Sequence, residues 1–240
     1  MFRHQGKTRT LGHNLRIASL LSFIAGIVNV VGFLAVQRLT TNVTGHFAYF
    51  MDDVVKLNFW QGFIFFLYIL FFFLGSFASN FTIELVSRQS ERYMYAVPVV
   101  IECIILIAMG SCSSSFIATY PDTIAFSLLF AMGLQNSLVT TISNANVRTT
   151  HLTGLFTDLG IELSQLFFFK SRENKKVLMS SVKLRLSIIA FFFLGGIIGG
   201  IAYANIGITI LTLAAGLLFL GLVYDSIKFR LIQLHRHLKG

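Results

Sequence analysis

Six long apolar runs divide the chain, at residues 17–36, 60–81, 96–113, 123–145, 187–204 and 206–224. Each is close to the roughly 20 residues that a helix needs to cross the hydrocarbon of a bilayer, so each predicts a transmembrane α-helix. Asn205 alone parts the last two runs, which predicts an antiparallel hairpin. Two weaker stretches, 44–57 and 153–169, mix apolar residues with Asp52, Asp53, Lys56, Asp158 and Glu162. Helical spacing suits both, but hydropathy alone makes neither a span. The expected fold is an all-α membrane protein, a polytopic bundle of six transmembrane helices plus two short helices, or of eight if the short ones also cross. The chain reads as one integral membrane domain over residues 1–240.

Composition strengthens this reading. Of the 240 residues 55% are hydrophobic and only 12% charged, against about 25% charged in soluble domains. The 26 Phe could not all be hidden inside a soluble fold of this size. A net charge of +9 would point a soluble protein toward nucleic acid. Here the basic residues lie between and outside the apolar runs, where they act as topology signals and anionic-lipid contacts, and no nucleic-acid motif accompanies them. With six spans and a cytoplasmic N-terminus, every Lys and Arg except Arg38 and Lys56 falls inside. With eight spans Arg38, Arg88, Arg92 and Arg148 fall outside. Both arrangements put both termini in the cytoplasm, and both leave a basic loop, Lys170 to Arg185, facing the anionic headgroups. The first run follows a basic N-terminus without a small-residue cleavage pattern, so it reads as a span and not a signal peptide. Cys103 and Cys112 share one run, about 13 Å apart along a helix, too far for a disulfide.

The chain also resembles itself. Thr40-Thr41-Asn42-Val43-Thr44-Gly45-His46-Phe47 recurs as Thr149-Thr150-His151-Leu152-Thr153-Gly154-Leu155-Phe156. The same shift carries Asp53 onto Glu162, and a slightly shorter one carries Gly26 and Asn29 onto Gly133 and Asn136. Two repeats, about 1–115 and 116–240, are expected. Thr and Asn oxygens cap helix starts, and Gly permits close backbone approach. Each motif therefore reads as a chain break followed by a short helix whose free N–H groups and positive dipole end attract ligands. Transporters build solute sites from such breaks in repeated halves. The alternative is that Thr and Gly serve only close helix packing.

At these residues the chain resembles the YoaK family of bacterial multi-pass membrane proteins. The resemblance rests on Ala25-Gly26-Ile27-Val28-Asn29, Thr44-Gly45-His46, Gly133-Leu134-Gln135-Asn136 and Val147-Arg148-Thr149-Thr150-His151-Leu152-Thr153-Gly154, and covers roughly Ile17 to Tyr224. The family tends to carry Asp where this chain has Asn29, and Asn where it has His46. The resemblance implies a helical membrane fold in the bacterial inner membrane. It implies no reaction, since members are described only as membrane proteins of unknown function.

Polar residues within the runs are the candidate chemistry. Asn29, Gln135 and Asn136 need partners in lipid, either each other's helices or a polar cavity between the repeats. With Thr44, Gly45, His46, Arg148, Thr150, Thr153 and Gly154 they form the expected solute-binding set. Glu102 is the one acid deep in a strong run, and with Asp53, Asp158 and Glu162 it forms the expected set for a coupling ion or proton. Asp158 and Glu162 share a helix face; a solvated face is the plain alternative. His46 and His151 have no third ligand at suitable spacing, so no metal and no cofactor are expected. His4, His13, His235 and His237 sit in the tails. No nucleotide loop or catalytic spacing appears, so the expected function is binding or moving a small solute at the repeat interface, not enzymatic catalysis. The alternative is a non-transporting module that binds lipid or a partner protein.

Overall fold

A computed structural model describes residues 10–90, 93–143, 147–168 and 172–237, with the backbone alone for 172–174 and 225–237. Of the cations and histidines considered above, Arg3, His4, Lys7, Arg9, Arg92, Lys170 and Lys239 lie outside the described residues, as does the end of the fourth run. So do the side chains of His235 and His237.

The described residues are helical, with no strand among them. The helices are α1 (Leu11–Val36), α2 (Val43–Val55), α3 (Phe59–Ser87), α4 (Ala96–Gly110), α5 (Ser114–Thr119), α6 (Pro121–Ser143), α7 (Leu152–Phe168), α8 (Arg172–Ile206) and α9 (Ile210–His237). Their ends have local causes. Gln37 closes α1 in the left-handed region at φ 54. Pro121 opens α6 with Asp122 in its first turn, where a fixed φ and a negative charge both favour a helix start. Between α8 and α9 a 3-10 turn begins at Gly207, φ +59, a conformation that glycine adopts without strain.

Four stretches of the described residues are long and apolar enough to cross a membrane: Leu11–Val36, Phe59–Ser87, Pro121–Ser143 and Lys175–Tyr224. The last contains most of α8 and the first half of α9, folded at Gly207. α4 is apolar but has only 15 residues. α2 and α7 are not in this set. The segment Lys170 to Arg185 is a correction. It was expected as a basic loop, but from Arg172 onward it is the first part of α8. Its Glu, Lys, Leu, Met and Arg are good helix formers uninterrupted by Gly or Pro, and a hydropathy window sees only the apolar half of the helix.

Two tight pairs organise the bundle. In one, a Cβ at Gly26 of α1 would land on the carbonyl oxygen of Phe192, and one at Gly195 of α8 on that of Phe23. In the other, a Cβ at Gly75 of α3 would meet the carbonyl oxygen of Phe130, and one at Gly133 of α6 that of Phe72. All four helices present Phe-x-x-Gly at the crossing. Without a hydrophobic force between helices in lipid, such close backbone contact is the principal source of attraction.

The contacts also fix direction. Gly26, Ile27 and Val30 meet Phe192, Gly199 and Gly200 in turn, so α1 and α8 are parallel. Tyr68, Phe71 and Gly75 meet Asp122, Phe126 and Phe130, so α3 and α6 are parallel. Arg38 lies by Asp122 while Gln135 reaches back to Leu21, so α1 and α6 are antiparallel. α9 returns past α1, with Gly221 against Leu20, and α4 runs antiparallel to α9 through Cys103–Ala215 and Gly110–Thr212. α1 and α6 are the centre, each span 61% buried, whereas α3 is only 22% buried and shows Trp60, Phe63, Phe73 and Phe77 outward. In water those rings would aggregate; facing acyl chains they are at home.

Candidate functional site

The two motifs sit where the chain leaves α1 and α6. Thr40 Oγ1 donates to the Val28 carbonyl at 3.0 Å, and Thr41 Oγ1 to Asn29 Oδ1 at 2.6 Å. In the second motif Thr149 Oγ1 donates to Asn136 Oδ1 at 3.1 Å, and Asn136 Nδ2 donates to Thr150 Oγ1. Gln135 Nε2 donates to the Leu21 carbonyl at 3.0 Å and to Thr149 Oγ1 at 3.1 Å. The amides thus hold each break against the helix before it. Gln135 Oε1 and the neighbouring Ser22 Oγ are buried with no partner among the described residues.

Beyond the breaks the short helices double back on their successors. α2 packs antiparallel to the start of α3, with Tyr49 on Phe65 at 5.1 Å and His46 on Tyr68 at 4.6 Å. Asn42 caps α2, accepting from Gly45 N at 3.0 Å; Thr44 is exposed. α7 packs antiparallel to the start of α8. No contact joins α2 to α7, so the structure places Thr44 and Gly45 apart from Thr153 and Gly154 and does not put the two helix starts in a shared cavity. Each helix is held by the long helix that follows it in sequence.

Around α2, His46 is buried and turns Nε2 to the Leu39 carbonyl, while its Nδ1 has no partner among the described residues. Its ring lies on Tyr68, whose hydroxyl donates to Asp122. Arg38 Nε donates to that hydroxyl at 3.2 Å and lies 3.6 Å from Asp122. This cluster joins the break after α1, helix α3 and the start of α6.

Around α7 there is a cavity of about 220 Å³ lined by Arg148, His151, Gly154, Asp158, Ser181 and Arg185 together with Leu155 and Leu184. Glu162 supports it from behind. Its Oε1 accepts from Ser181 Oγ at 2.6 Å and Arg185 Nη2 at 2.9 Å, and its Oε2 from Arg185 Nε at 2.9 Å. Arg185 Nη1 also lies 3.0 Å from Asp158 Oδ2. The Glu162 side chain is 13% exposed and Asp158 50%, so the first pair is a fixed strut and the second faces the opening. Arg148 is exposed and has no partner among the described residues. A Cβ on Gly154 would meet the His151 ring.

Of the residues expected from sequence, the cavity brings together Arg148, Gly154, Asp158 and, through Arg185, Glu162. Thr150 and Thr153 are not among its lining residues: Thr150 is held by Asn136 in the break, and Thr153 lies in the first turn of α7. Asp53 is elsewhere, at the end of α2, where Oδ1 accepts from Asn58 Nδ2 at 3.3 Å. Glu102 is also elsewhere, fully buried in α4 with neither carboxyl oxygen partnered among the described residues. Sequence reasoning missed Ser181, Tyr68 and Asp122 as site residues and read Arg185 only as a cytoplasmic cation. The i, i+4 pair Asp158 and Glu162 was the available signal for Arg185, because a shared acidic face in lipid demands a cation opposite.

No curated protein and no solved structure matches the chain. One family model does, over residues 17–224, the stretch from the start of the first apolar run to the end of the last. The chain therefore belongs to the family described as protein of unknown function DUF1275.

Proposed function

We propose that the protein moves a small solute across the bacterial inner membrane, as a carrier and not an enzyme. The observation that carries this reading is the polar cavity beside α7, built from Arg148 and Gly154 of the second motif together with Asp158 and lodged against α8. Polar groups inside membranes are costly and are kept where they handle solutes, ions or protons. On this reading α1, α3 and α4 form one repeat and α6, α8 and α9 the other, inverted with respect to the first. The cavity is the cytoplasmic mouth, and the Arg38–Tyr68–Asp122 cluster closes the opposite end, tying the first repeat to the second. Rocking one repeat against the other would exchange which end is shut. Glu102 is the candidate carrier of a coupling proton.

The test is uptake into proteoliposomes, with Arg38→Gln beside the parent. Counterflow of a solute that also raises the melting temperature of the purified protein supports the proposal; a solute that binds but is never transported sinks it. A second reading has an observation of its own: Lys175, Lys176 and Lys183 are exposed along the start of α8, a surface suited to anionic lipid. Loss of function on neutralising these three alone, with the cavity intact, would favour that module.

A further inference from the structure

The cavity beside α7 has a charge arrangement that selects a class of solute. At one end stands Arg148, a guanidinium with no partner among the described residues, next to His151 and the first turn of α7. Helix starts add partial positive charge and free N–H groups to such an end. At the other end Arg185 is shared between two carboxylates. Glu162 takes it with both oxygens, and Asp158 takes it with Oδ2 alone. One cation against two anions leaves one negative charge, and it lies on the side of Asp158, whose Oδ1 has no partner among the described residues. Arg148 and this surplus cancel overall but not locally. A simple anion would gain at one end and be repelled at the other, and a simple cation the reverse.

We infer that the cavity binds a small zwitterion, with its oxyanion on Arg148 at the start of α7 and its ammonium on Asp158 Oδ1. Gly154 and Asp158 are one turn apart, about 6 Å along the helix, a separation that a short amino acid can bridge. The 220 Å³ of space corresponds to about seven waters at roughly 30 Å³ each, which admits a solute of that size. Leu155 and Leu184 line the same space and suit the short carbon chain between the charges. The chemistry is shared by free amino acids and by the ethanolamine phosphate headgroup of a lipid. This inference rests on the cavity identified above as the solute site, and only its source distinguishes the two ligands.

The experiment uses the full chain in non-ionic detergent and follows thermal unfolding with glycine, β-alanine, γ-aminobutyrate and taurine, a series of graded charge separation. Acetate and methylammonium at equal ionic strength serve as half-ligands. At least one zwitterion should raise the melting temperature saturably, with both half-ligands about tenfold weaker or more. Arg148→Gln and Asp158→Asn should each weaken that zwitterion by about tenfold, and Arg148→Lys should recover part of the loss. The unliganded melting temperature checks that each variant is folded. No response to any zwitterion overturns the inference. So does acetate matching the zwitterion with Asp158→Asn unaffected, or methylammonium matching it with Arg148→Gln unaffected. Nanodiscs of phosphatidylglycerol with and without phosphatidylethanolamine separate the sources: a free solute that phosphatidylethanolamine displaces points to the headgroup. Zwitterion binding without uptake in proteoliposomes keeps this inference and sinks the transport reading. Uptake of another solute with no zwitterion response does the opposite.

Discussion

At Gly154 two demands meet in one hydrogen atom. A Cβ there would fall on Cδ2 and Nε2 of His151, an exposed ring that can swing aside, so the fold has little to lose. The cavity has more to lose, because the branched carbons of Val would occupy the space beside Arg148. Gly154→Val should therefore abolish ligand-induced thermal stabilisation while folded yield stays near that of the parent. A Val variant that binds normally would show that the motif glycine serves packing alone. Glu102 is the opposite case, a fully buried carboxyl whose oxygens find no partner among the described residues. A bare charge in such a place costs several kcal/mol, and nothing in the packing compensates. Glu102→Gln keeps the shape and removes the titration, so it should fold as the parent does and lose accumulation driven by a pH gradient, measured in proteoliposomes against unaltered counterflow. Equal gradient-driven accumulation by the variant would remove Glu102 from the mechanism. Glu102 stood out in the sequence because an acid in an apolar run must be protonated, paired or wet, the plain alternative being a neutral acid hydrogen-bonded to a neighbouring helix. Tyr68 and Asp122 did not stand out, since an aromatic in a Phe-rich helix and an acid in a first turn are both ordinary.

The α1–α8 and α3–α6 pairs meet by close backbone contact at glycines, which makes a sharp comparison among them. At Gly26 and Gly195 an added methyl would strike carbonyl oxygens of the partner helix, Phe192 and Phe23 respectively, and backbone cannot yield as a side-chain tip can. At Gly216 of α9 nothing lies within 4 Å. Gly26→Ala and Gly195→Ala should each lower stability by roughly 1–3 kcal/mol, the range for overpacking a close site. Gly216→Ala should be neutral or slightly stabilising, because Ala is the better helix former. Thermal unfolding of the three purified variants decides it, and equal losses at all three sites would refute the parallel α1–α8 lock. The existence of these helices was legible from apolar runs: α1, α3, α4 and α6 lie within about six residues of their runs, whereas α8 begins 15 residues before its run and α9 ends 13 residues after its own. Their partners were not legible, because Phe-x-x-Gly occurs in four helices and nothing local says which two meet. The start of α8 was misread for a related reason: a charged amphiphilic segment without Gly or Pro looks like a loop to hydropathy and like a helix to propensity.

At the scale of the whole molecule, the packing directions alternate. α1 and α8 run one way and α3 and α6 the other, α4 opposes α9, and α9 retraces α1 from the Gly207 turn. The alternation brings the described end of α9 to the face on which α1 starts, and α2 and α7 do not alter it because each runs antiparallel to the helix that follows it. The end of α3 at Ser87 and the start of α4 at Ala96 then share a face with the start of α1, while the α2–α3 turn at Asn58 lies on the other. We propose that the face on which α1 starts is the cytoplasmic one, because the cytoplasmic side of a bilayer retains Lys and Arg and, among the Lys and Arg with described side chains, Arg38 and Lys56 alone lie toward the opposite face. In a background of Cys103→Ser and Cys112→Ser, a cysteine at position 90 should resist a membrane-impermeant thiol reagent in intact cells and react after permeabilisation. A cysteine at position 58 should react in intact cells. Labelling of position 90 from outside would require an extra crossing between α1 and α3. It would turn α2 and α7 into spans and make the halves parallel, and the motif helices would then face each other across the bundle in place of the separate ends where the packing puts them.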